Sequence, residues 1–432
     1  MTKNILFIQP TITHRAGIDM ALDPIIRLLS KDNSIQSHIS QNKYKVYTLS
    51  AYENYNKENK SNILDIDNGA INMSMGENIK EVYQHNKFFN LLYKFYKMIN
   101  RSYQIFKCAK ENNINIIITS GDGLIISSLI SKLITNNFWK VNRSKVDRRY
   151  YSFIHENMNN INKINQYILK RILKYSDKVV AVSYGLADSL IKYVNIENIL
   201  VIENSIDINN RQIENIMNMD SEAIYNYKYK KSSKYNFLAI GRLENVKDYD
   251  MMIKSFVKAK NTIEQNTDLS QRLSIHLNII GEGRERYNLE KLIIELKADK
   301  YIKLLGSKSK EEVYKSLISS YTYINTSKME TFGLSILEAL SSGMPVIINN
   351  CDYGPREICQ IPSYIIDKLN TYNNYVFDYG IICNKGDIDG LATAIIKICD
   401  KKVYNNLQID RAIDRAKYYS AQNIIKKWLD IL

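Results

Sequence analysis

The sequence predicts an α/β protein made of two doubly wound halves of similar size. Short apolar runs alternate with segments of helical spacing along the 432 residues, and this alternation stops once and then restarts. Strands that alternate with helices indicate parallel sheets with helices on both faces. At roughly 100–200 residues per domain, the length also favours two or three domains. Hydrophobic residues make up 45% of the chain, which is enough to bury substantial cores.

The first half, residues 1–207, is predicted to begin with a buried strand. Its first apolar run, Asn4–Gln9, is nearly continuous and ends at Pro10, and helical spacing follows over Ala21–Ser30. The run Asn115–Thr119 ends at a Ser-Gly-Asp-Gly turn. The later elements are strands at Tyr151–Ile154, Lys178–Val182 and Ile199–Ile202, with a helical pattern over Ile161–Tyr175.

A polar, Asn-rich stretch, residues 208–235, is interpreted as the linker between the halves, and the alternation restarts at 236–415. The predicted strands there are Asn236–Ile240, Ser274–Ile280, Ile302–Leu305, Thr322–Asn325 and Pro345–Asn349. The predicted helices are Asp248–Lys260, Tyr287–Lys297, Glu311–Ile318 and Gly333–Ser342, and further helical segments lie between Asp387 and Leu432. Since ligands bind at the carboxyl ends of parallel strands, we expect a site in a central cleft between two facing sheets.

The net charge and the spacing of the cysteines indicate which partners, metal sites and cellular location to expect. The formal net charge of +14 fits an anionic substrate or an anionic membrane surface, or the general lysine content of the chain. Nucleic acid is not expected as a partner, because the sequence shows no basic arm and no nucleic-acid-binding motif. The five cysteines are scattered without zinc spacing, and the first residues form a short strand rather than a signal peptide. A cytoplasmic protein, or one bound peripherally to the inner face of the cell membrane, is therefore expected.

Two cations follow the first strand of the second half. Arg242 comes directly after Asn236–Ile240, and Lys247 begins the next helix. Two cations in one crevice suit a diphosphate, whose charge grows as a bond to it breaks, although two surface cations are also common in a lysine-rich chain. After the next strand, Gly281 and Gly283 flank a glutamate, and glycine lets a backbone approach a ligand closely, or simply makes a turn.

The segment 330–340, with the sequence ETFGLSILEAL, places Glu338 in an otherwise apolar helical turn. Burial of an unpaired carboxylate is unfavourable, so Glu338 is expected to accept hydrogen bonds, for which sugar or ribose hydroxyls are suitable donors. The helix start near Gly333 also offers backbone N–H groups and the positive end of the helix dipole to a phosphate. The alternative interpretation is a capped amphipathic helix in which the glutamate has only a structural role.

The motifs GRLENVK, GEG, SKMETFGLSILEALSSGMPVI and YGPREI, in this order and spacing, resemble the family-four retaining glycosyltransferases of the GT-B fold. The match covers nearly all of residues 236–360, and Glu330 and Glu338 meet the family's Glu-x7-Glu motif. The resemblance implies two Rossmann-like domains that face a central cleft, with acceptor binding in the first and nucleotide-sugar binding in the second. It also implies that a C-terminal helix, 416–432, packs back on the first domain.

The resemblance assigns roles to individual residues. It implies that Arg242 and Lys247 bind the donor diphosphate, Glu330 the donor sugar and Glu338 the nucleotide ribose. In the first half, SFIHEN resembles the family's strand-end histidine motif and makes His155 a candidate catalytic residue. The usual Gly-Gly pair of the first loop is reduced here to Gly17. The catalytic candidates are His155, Arg242, Lys247 and Glu330; the donor-binding candidates are Gly17, Arg242, Lys247, Gly281, Gly283, Thr331, Phe332, Gly333, Leu334, Ser335 and Glu338.

The function implied by the resemblance is sugar transfer, with retention of configuration, from a nucleotide-sugar, expected to be a UDP-sugar. The expected acceptor is a cell-envelope glycan, a teichoic acid or a lipid-linked molecule. No cofactor and no metal site is expected, because the cations can neutralise the leaving group and no suitable Asp-x-Asp pair is present. Two alternatives stay open: a non-catalytic GT-B subunit that stabilises a partner, and another GT-B enzyme such as an epimerase or a phosphorylase.

Overall fold

The computed structural model describes residues 2–10, 17–31, 43–52, 71–77, 87–138, 148–206, 211–219, 222–224, 234–369 and 371–432. The chain forms two compact units, Met1–Ser205 together with Ala421–Leu432, and Ile206–Ser420. The segment interpreted as a linker, 208–235, contains a helix at Arg211–Met217 and the start of a strand at Lys234. Residues 208–210, 220–221 and 225–233 of that segment lie outside the described residues.

The first unit contains a seven-stranded sheet in which every described pair of neighbours is parallel. Its strand order is β3-β2-β1-β4-β5-β6-β7. The strands are β1 (Thr2–Gln9), β2 (Lys43–Tyr52), β3 (Ile71–Glu77), β4 (Ile116–Ser120), β5 (Arg149–Ile154), β6 (Lys178–Ala181) and β7 (Ile199–Val201). The helices before Ser205 are α1 (Gly17–Lys31), α2 (Lys87–Glu111), α3 (Asp122–Phe138), α4 (Lys163–Ile172) and α5 (Tyr184–Leu190).

The second unit has its own seven-stranded sheet, ordered β10-β9-β8-β11-β12-β14-β13, in which the edge strand β13 is antiparallel to β14. The strands are β8 (Lys234–Ile240), β9 (Ser274–Ile280), β10 (Ile302–Leu304), β11 (Thr322–Asn325), β12 (Val346–Asn349), β13 (Asn374–Phe377) and β14 (Gly380–Cys383). The helices are α6 (Arg211–Met217), α7 (Tyr249–Gln265), α8 (Thr267–Arg272), α9 (Arg286–Glu295), α10 (Lys310–Ser319), α11 (Leu334–Ser341), α12 (Gly354–Ile358), α13 (Ser363–Leu369), α14 (Ile388–Ile398), α15 (Lys401–Asn405) and α16 (Ile409–Tyr418).

The last helix, α17 (Ala421–Leu429), belongs to the first unit and packs against α1. Its Trp428 is 1% exposed, and the indole lies edge-on to Phe7 and Phe153, with ring centroids 6.4 and 5.3 Å apart. Phe7 lies on β1 and Phe153 on β5, so the indole packs across the centre of the sheet. Lys427 forms an ion pair with Glu203 at 2.6 Å. The C-terminal residues therefore complete the core of the first unit.

In the part of the chain that the structure describes, none of the helices is both long enough and apolar enough to cross a bilayer.

Substitution of Trp428 by Ala should destabilise the first unit by about 3–5 kcal/mol, because it leaves a cavity between Phe7 and Phe153. Urea unfolding followed by circular dichroism measures this effect. The matched control is Ile294→Ala on α9, where the side chain is 69% exposed and a change within about 0.5 kcal/mol is expected. Equal unfolding midpoints for Trp428→Ala and the wild type would contradict the role given to α17.

Candidate functional site

The carboxyl ends of four neighbouring strands form one edge of the second sheet. Strands β9, β8, β11 and β12 are adjacent and parallel, so the loops that follow them leave the sheet on the same side. These loops and the helix after β11 carry every second-half residue of the predicted site. The fold thus places these residues at one edge, where ligands of doubly wound sheets bind.

The loop that follows β8 is held against the loop that follows β9. The N–H of Gly241 donates to Ile280 at 3.0 Å, and the N–H of Leu243 donates to Glu282 at 2.9 Å. A Cβ atom on Gly281 would lie 1.9 Å from the carbonyl oxygen of Gly241, and one on Gly283 would lie 2.3 Å from that of Leu243. Glycine is required at both positions for the two loops to meet. The sequence had instead suggested that these glycines let the backbone approach a ligand.

Arg242 stands between these anchored residues. Its neighbour Leu243 is completely buried, whereas the Arg242 side chain is exposed. Within the described residues, the guanidinium makes no hydrogen bond or ion pair. Its backbone position is therefore fixed while its charge remains available to an anionic ligand.

Lys247 and Glu330 form an ion pair that joins the loop after β8 to the loop after β11. Their side chains are 19% and 17% exposed, so the pair is partly shielded from solvent but can be reached. Ser327 donates a longer hydrogen bond, 3.4 Å, to the same Glu330 oxygen. The hydroxyl of Thr326 donates to the carbonyl oxygen of Lys247 at 2.8 Å and fixes the backbone on the other side of the pair.

The helix α11 begins at this edge without a side-chain cap. Gly333 precedes it with φ +107°, a conformation that favours glycine. The N–H groups of Leu334 and Ser335 have no acceptor within the helix, whereas that of Ile336 donates to Gly333 at 3.0 Å. Ser335 in this turn accepts a hydrogen bond of 2.7 Å from the buried hydroxyl of Tyr323 on β11. The ring of Phe332 packs edge-on against Tyr419, so this residue offers a ligand its backbone. Thr331 and Leu334 are partly exposed beside it.

Glu338 lies one turn further along α11, and burial raises the pKa of its carboxyl from 4.5 to about 7, with a smaller opposing effect of the Lys310 charge. Among the residues that the structure describes, the Glu338 carboxylate has no hydrogen-bond donor. A ligand hydroxyl that donates a hydrogen bond to this carboxylate would offset the free-energy cost of its desolvation.

His155 lies in the first unit, one residue beyond the end of β5, and is 8% exposed. Its ring contacts Phe153 edge-on, with centroids 4.1 Å apart, and burial lowers its pKa to about 3. The imidazole is therefore neutral at physiological pH and suited to hydrogen bonding rather than to carrying charge. Gly17 begins α1, whereas residues 14–16 of the predicted loop His14–Asp19 lie outside the described residues.

One candidate residue was missed. Gln9, the last residue of β1, is completely buried, and neither atom of its amide has a hydrogen-bond partner among the described residues. The register of β1, β4 and β5 places Gln9 on the same face of the sheet as Phe153, and therefore as His155. In the sequence, the only sign of this residue was an amide side chain at the end of an otherwise apolar run. Such a residue looks like an ordinary strand end.

Replacement of Glu338 by Gln should stabilise the protein at pH 8 and have little effect at pH 5. A carboxyl whose pKa is higher in the folded state destabilises that state progressively as the pH rises from about 4.5 to about 7. The gain at pH 8 should stay below about 3 kcal/mol, since the side chain keeps some exposure. Urea unfolding at the two pH values measures it.

The matched control is Glu312→Gln on α10. Hydrogen bonds from Ser309 lower the pKa of Glu312 to about 2, so the loss of its charge should destabilise the protein at pH 8, the opposite sign. A destabilised Glu338→Gln variant at pH 8 would show that the Glu338 carboxylate has a protein partner.

Residues 220–415 match the family described as "Glycosyl transferases group 1". Among curated proteins, the UDP-N-acetylglucosamine–peptide N-acetylglucosaminyltransferase GtfA subunit of Limosilactobacillus reuteri is 31% identical over 200 residues, which cover 46% of this chain and 35% of that protein. An uncharacterized glycosyltransferase of Methanocaldococcus jannaschii is 27% identical over 78% of this chain and 84% of its own length. The poly(glycerol-phosphate) alpha-glucosyltransferase of Bacillus subtilis is 27% identical over 46% of this chain and 25% of that protein. The chain thus spans about a third or less of the length of two of these three relatives.

Solved structures resemble the whole chain. Staphylococcus aureus TarM, in a complex with UDP and alpha-GlcNAc-glycerol, has a TM-score of 0.69 and 14% identity, with 99% of each chain covered. Anabaena HepE, in a complex with UDP and glucose, has a TM-score of 0.68 and 14% identity over 99% of each chain. At such identities the likeness establishes the fold. The chain has the GT-B fold, and its residues 220–415 are similar to the glycosyltransferase group 1 family.

Proposed function

We propose that this protein is a retaining, metal-independent glycosyltransferase that moves a sugar from a UDP-sugar to a cell-envelope acceptor. The observation that carries the proposal is the partly shielded Lys247–Glu330 ion pair at the carboxyl edge of the second sheet. The exposed guanidinium of Arg242, which has no partner among the described residues, follows β8 at the same edge.

The charges at this edge suit a nucleotide diphosphate with a sugar attached. A diphosphate attracts the Lys247 ammonium and the Arg242 guanidinium, and the first-turn N–H groups of α11 add further donors. As Lys247 shifts to the phosphate, the Glu330 carboxylate becomes available to hydroxyls of the donor sugar. The desolvated carboxylate of Glu338 accepts hydrogen bonds from the ribose hydroxyls, and the names of several similar proteins support uridine as the base.

The transfer breaks the bond between the anomeric carbon and the diphosphate oxygen and forms a bond from that carbon to an acceptor oxygen on the same face. The departing phosphate takes the acceptor proton. Arg242 and Lys247 stabilise the negative charge that grows on the leaving group, the role that a metal ion would otherwise have. In the first unit, the neutral His155 imidazole forms a hydrogen bond with the acceptor.

A glycan, a teichoic acid or a lipid-linked molecule is the proposed acceptor class. Support comes from the names of the Bacillus relative and of the TarM complex, which refer to poly(glycerol-phosphate) and to a glycerol glycoside. The net charge of +14 also suits an anionic polymer or a location at the inner face of the cell membrane. The alternative of a non-catalytic subunit is disfavoured, because Arg242, Lys247, Glu330 and Glu338 are all present.

A thermal-shift screen of nucleotide sugars tests donor binding. A UDP-sugar should raise the melting temperature. At a concentration a hundred times its dissociation constant, it should stabilise the folded state by about 3 kcal/mol. Because the ionised Glu338 carboxylate accepts hydrogen bonds more strongly than the protonated carboxyl, affinity should increase as the pH rises through about 7. In Glu338→Gln the affinity should be lower and almost independent of pH. The absence of any shift with nucleotide sugars, across this pH range, would contradict the donor site.

Lys247→Ala and Arg242→Ala should each lower turnover by about 10²–10³-fold, because each removes charge that stabilises the leaving diphosphate. Release of UDP in a transfer assay measures the effect. The control is Lys254→Ala on α7, an exposed lysine paired with Asp250, which should retain wild-type turnover. Wild-type turnover in either site variant would refute the role of that residue.

A further inference from the structure

The helix α2 exposes an apolar stripe to solvent. Tyr96, Ile99 and Tyr103 are 64%, 58% and 62% exposed, and their spacing of three and four residues places them on one face. The opposite face, with Ile105 and Ala109, is completely buried against the first unit. The core therefore does not use the outward stripe, and exposed side chains of this size are uncommon in such a row.

Lysines continue this stripe. Lys107 and Lys110 follow Tyr103 at spacings of four and seven residues on the same exposed face. Over its whole length α2 carries six lysines and arginines, against the acid Glu111. A row of aromatic and aliphatic side chains that runs into lysines is typical of a helix lying on a membrane surface.

The helix α4 and the turn after it repeat the pattern. Ile164, Tyr167 and Tyr175 are exposed, whereas Leu169 and Leu173 on the opposite face are completely buried. Arg171 stacks on Tyr167 at 3.5 Å from the ring centroid, and Lys174 lies over the ring of Tyr175. The segment 163–175 contains four lysines and arginines and no acidic residue.

The two stripes belong to one layer of helices. In the first unit, α3 packs against both α2 and α4, and its Ile134 is also exposed. The α2–α4 surface is defined by six exposed side chains: Tyr96, Ile99, Tyr103, Ile164, Tyr167 and Tyr175. Most of the charges on its two helices are cationic, and its rings are mostly tyrosines, whose apolar body and polar tip suit the region of lipid headgroups.

We propose that the α2–α4 surface docks on the anionic headgroup layer of a lipid bilayer. Lysines and arginines supply the long-range attraction to anionic lipid, which amounts to about 1 kcal/mol for each residue near the surface. Tyrosine and isoleucine side chains then enter the interface. The inference does not depend on the donor site, because it concerns a different unit of the chain and is tested without any sugar.

Flotation of the full-length protein with lipid vesicles tests this proposal. Vesicles of equal parts phosphatidylglycerol and phosphatidylcholine should bind the protein, and vesicles of phosphatidylcholine alone should bind it at least about tenfold more weakly. Binding should weaken as the salt concentration rises from about 0.05 M to about 0.5 M, since salt screens the attraction.

Two sets of substitutions separate this surface from other exposed apolar residues. The combined variant Tyr96→Gln, Ile99→Gln and Tyr103→Gln should lower vesicle binding about tenfold or more, with an unchanged melting temperature. The matched control combines Tyr287→Gln with Ile294→Gln on α9, where the side chains are 75% and 69% exposed, and should bind vesicles like the wild type.

Equal binding to both kinds of vesicle, or wild-type binding by the α2 variant, would overturn the proposal. A self-association that the α2 substitutions abolish in analytical ultracentrifugation, without vesicle binding by the wild type, would assign the surface to a second copy of the chain instead. Donor binding measured on the same variants should stay unchanged, so a failure of the membrane surface is distinguishable from a failure of the donor site.

Discussion

The close contact between two glycine-containing loops is the constraint on which the candidate site depends. The loop Gly241–Leu243 meets the loop Gly281–Gly283 at a distance that excludes even a methyl group on either of the latter glycines. Backbone hydrogen bonds lock the contact, and the direction in which the chain continues toward Lys247 follows from it. An exposed arginine on an unanchored loop would sample many positions, whereas here the order of the backbone restricts Arg242 to a small region.

The charged groups at this edge are only partly paired among the residues that the structure describes. Lys247 and Glu330 satisfy each other, Arg242 has no partner in the described part of the chain, and Glu338 is desolvated. Such a site stores unfavourable electrostatic free energy that a ligand with both phosphates and hydroxyls relieves. Selectivity then follows from the geometry, because a ligand with only one of these groups leaves part of the site unsatisfied.

Much of the fold could be predicted from the sequence, and the reason is visible in particular segments. Runs such as Asn4–Gln9 and Asn115–Thr119 lie in the interior of the first sheet, where burial on both faces requires nearly continuous apolar residues. The strands β2 and β3 were missed because Lys, Tyr, Asn and Ser interrupt them. The strands β13 and β14 were missed because no helix separates them, so they depart from the alternation of strands and helices.

The position of the candidate residues at one edge of a sheet was predictable from a family motif, whereas their contacts were not. The sequence separation of 83 between Lys247 and Glu330 leaves no periodic signal, and the burial of the Gln9 amide depends on strand pairing across the sheet. Local patterns report which side of a segment is buried. They do not report which side chains meet after the chain has folded.

The return of the chain to the first unit has a consequence for the order of folding during synthesis. Residues 206–420 are made before Trp428, so the second unit is complete while the first still lacks the indole between Phe7 and Phe153. The earliest strands of the chain therefore close their core last. Removal of residues 421–432 would act on the beginning of the chain, and the nascent first sheet remains open to chaperones until these residues have been synthesised.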